Sequence, residues 1–418
     1  MRGMLFLSNG HGEDAMAARL AVVLMQRLRT LDVSAMPLVG TGSAYPAAGI
    51  PVLGCPSAVP SGGFSLRLGM GPRGLCALWG DLRAGLLSIV LAQARELMRA
   101  RSRVQLGVAV GDLFPVVLAG LFLRRPLVMV ATAKSDSIRP HFGVEISLLR
   151  RFCRLVFARD EHTARSLREH RVRACYAGNL MMDLVEPEGI DLGFAEGECV
   201  VGLLPGSRRD ATLNLPLILE VARAMESDVL RAASRGGAED RRLAFAVSLA
   251  GGTDLRGLVS KALAGGWRFA PEGRAGEGGI PASWRGVLGV LERHGTSVKL
   301  VSGAFGELMS RSRIVVGMAG TANEQAAGLG VPVVAFPGPG AQFSKRFVEG
   351  QKRLLGDALS VMEPAPGSVA REVLRILDHP EIYERMARAG RETMGGPGAA
   401  LRIAELLEKD FLEAKNAR

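Results

Sequence analysis

Short apolar segments that end in a turn of small residues recur along this chain, and most precede a segment with apolar residues at helical spacing. The first such pair is a strand-like segment at 4–8 and the helical pattern "DAMAARLAVVLMQRL". Strands that alternate with helices form parallel sheets covered by helices. The first half is therefore predicted to be a doubly wound, Rossmann-like α/β domain, with further strands at 33–39, 105–110, 126–131, 154–158 and 173–177.

A second series of the same kind begins at "CVVGLLPGSR" and is predicted to form another parallel α/β domain. Its later strand segments are "RLAFAVSLAG", "WRFA", "SVKLVSG", "RIVVGMAG" and "VPVVAFPG". The stretch between the two series loses its periodicity, and the end of the chain has helical patterns. We predict a first domain at 1–185, a linker at 186–198, a second domain at 199–378, and helices at 379–418 that cross back to the first domain.

The formal net charge of +11 and the isoelectric point near 10.0 favour acidic partners. The basic residues are spread along the chain and do not alternate with aromatic residues, so phosphorylated metabolites or an anionic membrane are favoured over nucleic acid. The five cysteines include no CxxC pair, which is typical of reduced thiols in a cytoplasm. A cytoplasmic location is expected, and the sequence leaves a homodimer open.

Two segments have a composition that could allow them to cross or contact a membrane. Residues 104–123 carry a single charge and are long enough to cross a bilayer. Asp112 lies near the middle of this stretch and Pro115 follows it, so a strand, a turn and a buried helix explain the pattern better. The segment 61–91 mixes apolar residues with arginines, and it is predicted either to contact the inner face of the cytoplasmic membrane or to be a partly buried helix and loop.

The segment "VVGMAGTANEQAAGLGVPVV" at 315–334 joins two strand segments through a bare turn and a helix. One interpretation is structural, because Thr321 and Glu324 have the T-x-x-E spacing of a capping box. The other is a binding site, because a turn without large side chains lets a diphosphate approach the free N–H groups and the positive end of a helix. Glu324 could then accept hydrogen bonds from two ribose hydroxyls. We favour the binding site.

Other turns of the second domain are predicted to contribute to the same site. "GSR" at 206–208 could bind a pyrophosphate or be a plain surface turn. The glycines of "SLAGGTDL" could form the floor of a base pocket, although most such turns are structural. The loop and basic helix of "FPGPGAQFSKRFVEGQKRLLG" could contact the sugar and phosphates of the donor, or could be a loop followed by a solvated helix face. The predicted nucleotide-binding residues are Gly206, Ser207, Arg208, Gly251, Gly317, Ala319, Gly320, Thr321, Glu324, Gln325 and Gln342.

The turn "SNGHGED" after the first strand is not a GxGxxG fingerprint, and no acidic residue follows at the spacing of a dinucleotide site. A nicotinamide-dependent enzyme is therefore not expected. His11 lies between glycines and could bind an acceptor phosphate or accept a proton. Asn9, Glu13 and Asp14 are predicted to lie on the same acceptor side, although Glu13 or Asp14 could instead cap the following helix.

Asp112 follows the strand in "AVGDLFP" and could be either a helix cap or a general base. A hydroxyl that attacks a sugar carbon must lose its proton to a positioned group, and we predict Asp112 first and His11 second for this role. No His or Cys cluster has the spacing of a metal site, so neither a metal nor another cofactor is expected. Helix ends and arginines can stabilise a leaving diphosphate instead.

The motifs together resemble the lipid-A-disaccharide synthase family, most closely its branch of lipid-A-disaccharide synthase-related proteins. The segments that carry the resemblance are "FARDEHTARSL" (157–167), "YAGNLMMD" (176–183), "LLPGSR" (203–208) and "AGTANEQAAGLGVPVV" (319–334). The resemblance implies a GT-B fold, in which two Rossmann-like domains face a cleft. It also implies inverting, metal-independent transfer of diacylglucosamine from a UDP donor to the 6-hydroxyl of diacylglucosamine 1-phosphate, a lipid-linked acceptor.

By the same resemblance, Glu324 would hold the ribose, and Arg208 and the turn at 317–321 would hold the pyrophosphate. The chain departs from the family on the acceptor side. The family's first turn resembles G-E-x-S-G-D, where this chain has "SNGHGED". After the later strand the family has two nearby carboxylates, whereas this chain has only Asp112. Two further interpretations therefore stay open: a UDP-sugar epimerase or hydrolase of the same fold, and a nucleotide-sugar or lipid binding protein without catalysis.

Overall fold

The computed structural model describes residues 2–54, 86–132, 134–206, 208–234, 241–272, 280, 284–340 and 343–416. The chain forms two compact units. Unit 1 comprises Met1–Leu184 and Pro397–Arg418, and unit 2 comprises Val185–Gly396. Most of the predicted membrane-surface segment, up to residue 85, lies outside the described residues.

Unit 1 contains a six-stranded sheet whose neighbouring strands pair in parallel. Its strands are β1 (Arg2–Ser8), β2 (Leu31–Pro37), β3 (Val104–Gly111), β4 (Leu127–Ala131), β5 (Cys153–Phe157) and β6 (Ala174–Cys175). They lie side by side in the order β2-β1-β3-β4-β5-β6. All residues of β3 except Gln105 are buried, as in a sheet covered on both faces. The predicted doubly wound α/β domain is confirmed.

Helices connect these strands. They are α1 (His11–Arg27), α2 (Ala44–Ala47), α3 (Leu86–Ala100), α4 (Leu113–Leu118), α5 (Gly143–Phe152) and α6 (Glu161–Glu169). A π-helical turn, Ala119–Leu123, extends α4, so the stretch at 104–123 is the predicted strand, turn and helix. The core lies where Leu7, Leu97 and Val116 pack together, almost fully buried. Among the described residues, no helix has the length and apolar character needed to cross a membrane.

Unit 2 contains an eight-stranded sheet. Its strands are β7 (Cys199–Leu204), β8 (Leu243–Leu249), β9 (Arg268–Pro271), β10 (Gly286–Arg293), β11 (Thr296–Ser302), β12 (Ser312–Gly317), β13 (Val333–Ala335) and β14 (Leu359–Val361). They lie in the order β14-β13-β12-β7-β8-β11-β10-β9. From β14 to β11 the pairs are parallel, as predicted.

The prediction of a wholly parallel sheet is wrong at one edge of unit 2. β10 pairs antiparallel with both β9 and β11. His294 and Gly295 join β10 to β11 with positive φ angles of 48° and 84°, which is the backbone geometry of a two-residue hairpin turn. β10 was not predicted because histidine is an unusual first residue for such a turn, and the three-residue strand β14 was not predicted either.

The helices of unit 2 are α7 (Arg208–Ser234), α8 (Leu255–Ala264), α9 (Phe305–Arg311), α10 (Thr321–Gly328), α11 (Lys345–Leu355), α12 (Pro366–Asp378) and α13 (Pro380–Met394). The last helix, α14 (Ala399–Asn416), belongs to unit 1. The predicted crossing at 379 therefore differs from the observed one at 397. α13 stays in unit 2 because it packs closely on α10: a Cβ on Gly390 would lie 2.1 Å from the carbonyl oxygen of Ala327.

Asp183 attaches α14 to the rest of unit 1. Its carboxylate accepts hydrogen bonds from the backbone N–H groups of Gly398 and Ala400, the latter at 2.6 Å. A carboxylate at a helix N-terminus satisfies free N–H groups and complements the helix dipole. Arg402 adds a hydrogen bond from Nε to the carbonyl oxygen of Ala177 at 2.8 Å. The family-like segment at 176–183 thus has a structural role.

Candidate functional site

The first strand of unit 2, β7, lies between β8 and β12, so the chain leaves β7 in one direction and returns on its other side. In open α/β sheets, ligands bind beyond the carboxyl ends of the strands at such a switch point. Leu204 and Gly317, the last residues of β7 and β12, are register partners. The N–H of Met318 then donates to the carbonyl oxygen of Leu204 at 2.7 Å. Two predicted motifs, at 206–208 and 317–325, therefore begin side by side.

The turn after β12 leads directly into α10. Gly320 is the N-cap residue and provides no side-chain cap bond, and Thr321 is already the first residue of the helix. The capping-box interpretation of Thr321 and Glu324 is therefore wrong, because Thr321 lies one position too far into the helix. The first N–H groups of a helix have no partner within it and form its positive end. The start of α10 can accept an anion.

Three of the residues predicted to bind the nucleotide lie in the first two turns of α10. Thr321 is exposed, while Glu324 and Gln325 are each 9 % exposed. Glu324 lies one helical turn beyond the bare segment.

Gly317 must be a glycine because Asn323 packs against it. The side-chain Nδ2 of Asn323 donates to the carbonyl oxygen of Gly317 at 3.2 Å, and Asn323 is fully buried. A Cβ on Gly317 would lie 1.9 Å from Asn323 Oδ1, well inside van der Waals contact. Asn323 stands within the predicted motif, but sequence reasoning gave it no role.

Replacing Gly317 by alanine is expected to displace Asn323 and to lower the free energy of unfolding by about 1–3 kcal/mol, the usual cost of an extra methyl group in a packed interior. Chemical denaturation checks this. Gly251→Ala is the control, because a Cβ there would meet nothing within 4 Å. Equal stability losses in the two variants would contradict the packing argument.

The turn after β7 is also shaped by a glycine. Gly206 has a φ of 94°, and a Cβ there would lie 2.8 Å from the carbonyl oxygen of Met318. Asn214 of α7, which sequence reasoning missed, supports this turn by donating from Nδ2 to the carbonyl oxygen of Pro205 at 2.9 Å. Arg208 begins α7, and its side chain lies outside the description. Ser207 and Gln342 are also outside the described residues.

Gly251 follows β8, the neighbour of β7, and lies at the same edge of the sheet. It is exposed, and the space around its Cα is open. The structure thus brings Gly206, Gly251, the turn at 317–320 and the start of α10 to the carboxyl ends of three neighbouring strands.

Unit 1 has its own switch point, between β1 and β3. His11 begins α1 directly beyond β1, and Asp112 lies directly beyond β3. The imidazole of His11 lies over the backbone of Gly40, with its Cε1 3.2 Å from where a Cβ would be. Asp112 is the N-cap of α4, and its Oδ1 accepts a hydrogen bond from the N–H of Phe114 at 2.9 Å. The predicted cap is confirmed, and this hydrogen bond fixes the carboxylate of Asp112, which is also the first candidate for the general base.

Asn9 and Glu13 close over the end of β3. A Cβ on Gly111 would lie 2.1 Å from Asn9 Oδ1 and 3.3 Å from Glu13 Cγ. Burial raises the pKa of Glu13, a backbone hydrogen bond opposes this, the negative charge of Asp112 raises the pKa further and His11 lowers it. These couplings place Glu13 near both candidates for the general base. Of the predicted acceptor-side residues, Asn9 and Glu13 therefore lie beside Gly111, the residue before Asp112.

Asp14 does not cap α1, contrary to one sequence-based alternative, and neither does Glu13. The N-cap is Gly10, with no side-chain cap bond. Asp14 instead points into the protein, 1 % exposed, where its Oδ1 accepts a hydrogen bond from Ser8 Oγ at 2.6 Å. Ser8 Oγ is also 2.6 Å from the hydroxyl of Tyr45. Burial raises the pKa of Asp14 to about 6, although the bond from Ser8 opposes the shift.

The raised pKa predicts how Asp14 affects stability. The folded state binds the proton more tightly than the unfolded state, so stabilisation by Asp14 is complete below pH 3.8 and is lost as the pH rises through about 6. The loss amounts to about 3 kcal/mol. Asp14→Asn keeps the acceptor for Ser8 and removes the titration. The free energy of unfolding of the variant minus that of the wild type should therefore rise between pH 4 and 7, and parallel pH curves would contradict this.

Sequence reasoning also missed an Asp–His pair in the loop after β4. His141 Nδ1 lies 2.5 Å from Asp136 Oδ1, and both side chains are almost fully buried. The loop starts beside the end of β3, where the N–H of Thr132 donates to the carbonyl oxygen of Gly111 at 3.2 Å. Burial raises the pKa of Asp136, but hydrogen bonds from Ser166 and His141 lower it more, so it lies below its ordinary value. The pair fixes the orientation of one imidazole.

A scan against protein-family models gives no match to the chain, and a search of curated proteins gives none either. Solved structures do match over nearly the whole chain. A Listeria monocytogenes protein assigned as a UDP-N-acetylglucosamine 2-epimerase has a TM-score of 0.60 at 16% identity, covering 99% of this chain and 98% of its own.

Two further structures are similar. UDP-GlcNAc 2-epimerase from Neisseria meningitidis, bound to UDP-GlcNAc, has a TM-score of 0.56 at 14% identity and covers 98% of this chain and 100% of its own. The calicheamicin glycosyltransferase CalG4 has a TM-score of 0.56 at 15% identity and covers 98% of both chains.

At these identities the likeness establishes the fold, and the resemblance to the lipid-A-disaccharide synthase family rests on the sequence motifs alone. Two α/β units with parallel sheets, matched along their whole length by these epimerase and glycosyltransferase structures, give the chain the GT-B fold.

Proposed function

We propose that the protein is a glycosyltransferase that uses a UDP-sugar and transfers an acylated glucosamine to a lipid-linked sugar phosphate. The observation that carries the proposal is the turn at 317–320, which has no large polar side chain, lies at the switch point of unit 2 and leads into α10, whose N-cap residue is a glycine without a side-chain cap bond. Such a helix start binds anions, and the diphosphate of the donor has the required charge.

The donor is proposed to bind to unit 2. Its diphosphate approaches the backbone of Gly320 and Thr321, and Arg208 supplies a positive charge. The carboxylate of Glu324 accepts hydrogen bonds from both ribose hydroxyls. The UDP-GlcNAc bound to the Neisseria enzyme supports a UDP-sugar as the ligand class of this fold.

The proposed reaction is a single displacement. The acceptor hydroxyl oxygen forms a bond to the anomeric carbon of the donor sugar, and the bond from that carbon to UDP breaks with its electron pair going to the diphosphate. The hydroxyl proton goes to the carboxylate of Asp112, with His11 as the next candidate. The positive end of α10 and Arg208 stabilise the leaving diphosphate, so we propose that the transfer needs no metal ion.

The acceptor class follows from the resemblance and the charge. A net charge of +11 favours peripheral attachment to an anionic leaflet, where a lipid-linked acceptor would be found. The cytoplasmic face of the membrane is the proposed location, and the acceptor side is assigned to the groups around Asp112 in unit 1.

The second candidate function is a UDP-sugar 2-epimerase. The similarity to the Listeria structure, which has the highest TM-score of the three structures described, favours it. An epimerase needs no acceptor, so it would convert UDP-GlcNAc on its own. Proton NMR of UDP-GlcNAc incubated with the enzyme alone would then reveal a second UDP-sugar, and an unchanged spectrum would remove this candidate.

Calorimetric titration tests donor binding separately from catalysis. UDP is expected to bind, and GDP and ADP to bind more weakly, because a larger purine base would have to fit the same pocket. The absence of UDP binding would overturn the proposed function. Binding of UDP without turnover of any UDP-sugar would favour the third interpretation, a binding protein without catalysis.

A further inference from the structure

Gln351 of α11 forms hydrogen bonds with the turn at 317–320, where the diphosphate of the donor is proposed to bind. Its Nε2 lies 3.0 Å from the carbonyl oxygen of Gly320 and 3.3 Å from that of Ala319. Its Oε1 accepts a hydrogen bond from Asn323 Nδ2 at 3.0 Å. Gln351 is 3 % exposed, so these bonds form in the protein interior. Both polar atoms of the buried amide are therefore bonded, Nε2 to the turn and Oε1 to Asn323 of α10.

The bonds help to fix the orientation of two peptide groups; the carbonyl oxygen of Gly320 also accepts hydrogen bonds from the N–H groups of Asn323 and Glu324. In a planar trans peptide, the carbonyl of one residue and the N–H of the next point in opposite directions. The carbonyls of Ala319 and Gly320 point towards Gln351. The N–H groups of Gly320 and Thr321 must therefore point away from α11. These are two of the N–H groups to which the proposed function assigns the diphosphate.

We propose that Gln351 is a positioning residue for the donor diphosphate, which it never touches: it holds the carbonyls of the turn inward so that the N–H groups face the ligand. This inference rests on the proposed function, because it names the residue that prepares the same site. Pre-oriented donors bind an anion without reorganisation of the backbone, which is the source of the affinity.

A purely space-filling role would not require an amide. A buried amide costs free energy unless its donor and acceptor are both satisfied, so an apolar residue of the same size would fill this position as well. Gln351 satisfies both through Asn323 and the turn, and Asn323 in turn bonds Gly317. The network spans the whole bare turn from Gly317 to Gly320.

Two variants of Gln351 separate orientation from packing. Gln351→Met keeps the volume and removes the donor, and Gln351→Glu keeps the shape but turns a carboxylate oxygen towards the two carbonyls. The control is Gln93→Met in unit 1, where a buried glutamine also donates to a backbone carbonyl, that of Leu38, at 2.7 Å. Gln93→Met loses a buried hydrogen bond in the other unit and controls for a general loss of stability, whereas Gln351→Met loses the bonds to Ala319, Gly320 and Asn323.

The readout is the dissociation constant of UDP compared with that of uridine, measured by NMR titration. Uridine lacks the diphosphate, so the positioning role predicts that its affinity is unchanged in all variants. UDP should bind about 10-fold more weakly to Gln351→Met. UDP should bind at least about 100-fold more weakly to Gln351→Glu, because the negative charge of the glutamate would repel the diphosphate. Gln93→Met should bind UDP like the wild type.

The outcomes separate the inference from the proposed function. If the wild type binds UDP no more tightly than uridine, the donor site itself is wrong. If the wild type prefers UDP and both Gln351 variants keep that preference, the positioning role is wrong. Equal losses for UDP and uridine would also overturn it, because they indicate general disruption of unit 2. Should Gln351→Glu not fold, Gln351→Met alone decides.

Discussion

Replacing Asp112 by asparagine is expected to lower kcat for sugar transfer by about 100-fold or more, the usual contribution of a general base. Asparagine is as good an N-cap residue as aspartate, so the hydrogen bond from the N–H of Phe114 and the start of α4 should survive. The variant therefore removes the proton acceptor with little change in structure. The affinity for UDP, which is assigned to unit 2, should be unchanged.

The matched control is Asp160→Asn. Asp160 is the N-cap of α6 in the same unit and accepts a hydrogen bond from the N–H of Thr163 at 2.7 Å. This variant should keep its activity, because only the cap and not the proposed base is altered. Steady-state measurement of UDP release gives kcat for both. Full activity of Asp112→Asn would reassign the base, and His11→Gln would be the next variant to test.

Replacing Glu324 by alanine is expected to raise the dissociation constant of UDP by about 10- to 100-fold, because hydrogen bonds to a charged group contribute about 1.5–3 kcal/mol. The loss should also appear with uridine, since it concerns the ribose and not the diphosphate. Calorimetric titration measures the first ligand and NMR titration the second.

Glu324→Gln provides the graded comparison. An amide keeps one oxygen as an acceptor but has no charge, so its affinity for UDP should lie between those of the wild type and of Glu324→Ala. Glu324 is only 9 % exposed, and a thermal unfolding curve for each variant checks that unit 2 remains folded. Unchanged affinity in a folded Glu324→Ala would remove Glu324 from the donor site.

The fold could be predicted from the sequence because its signals are local. In unit 1 the buried strands β3 and β4 are short runs of almost continuous apolar character. The antiparallel edge of unit 2 was missed because His294 replaces the usual asparagine or aspartate in the hairpin turn, and its positive φ cannot be recognised from the sequence.

The candidate sites could be predicted in part for the same reason. Turns that follow strands can be recognised from the sequence, and the turns after β7 and β12 do lie side by side in unit 2. The caps were harder. T-x-x-E at 321–324 has the spacing of a capping box, but the backbone enters the helix at Thr321, one residue too early for that box.

Long-range partners were beyond the sequence analysis. Asp14 has the position of a cap residue, yet it is bonded to Ser8 and through it to Tyr45, which is 37 residues from Ser8. Gln351 lies in the motif at 336–356, but no sequence pattern indicated its role. Its hydrogen bonds to Ala319 and Gly320 join residues that are 31 or more positions apart in the chain. Such pairs depend on tertiary packing, and no local pattern identifies them.

The measurement that tests the central claim most directly is UDP release from UDP-2,3-diacylglucosamine, with and without 2,3-diacylglucosamine 1-phosphate. We expect release that requires the acceptor, together with a disaccharide product. Release without the acceptor would contradict the transferase and indicate a hydrolase or an epimerase-like activity. If UDP binds but none is released from the donor in either case, the donor site stands and the proposed transfer to a lipid A precursor is wrong.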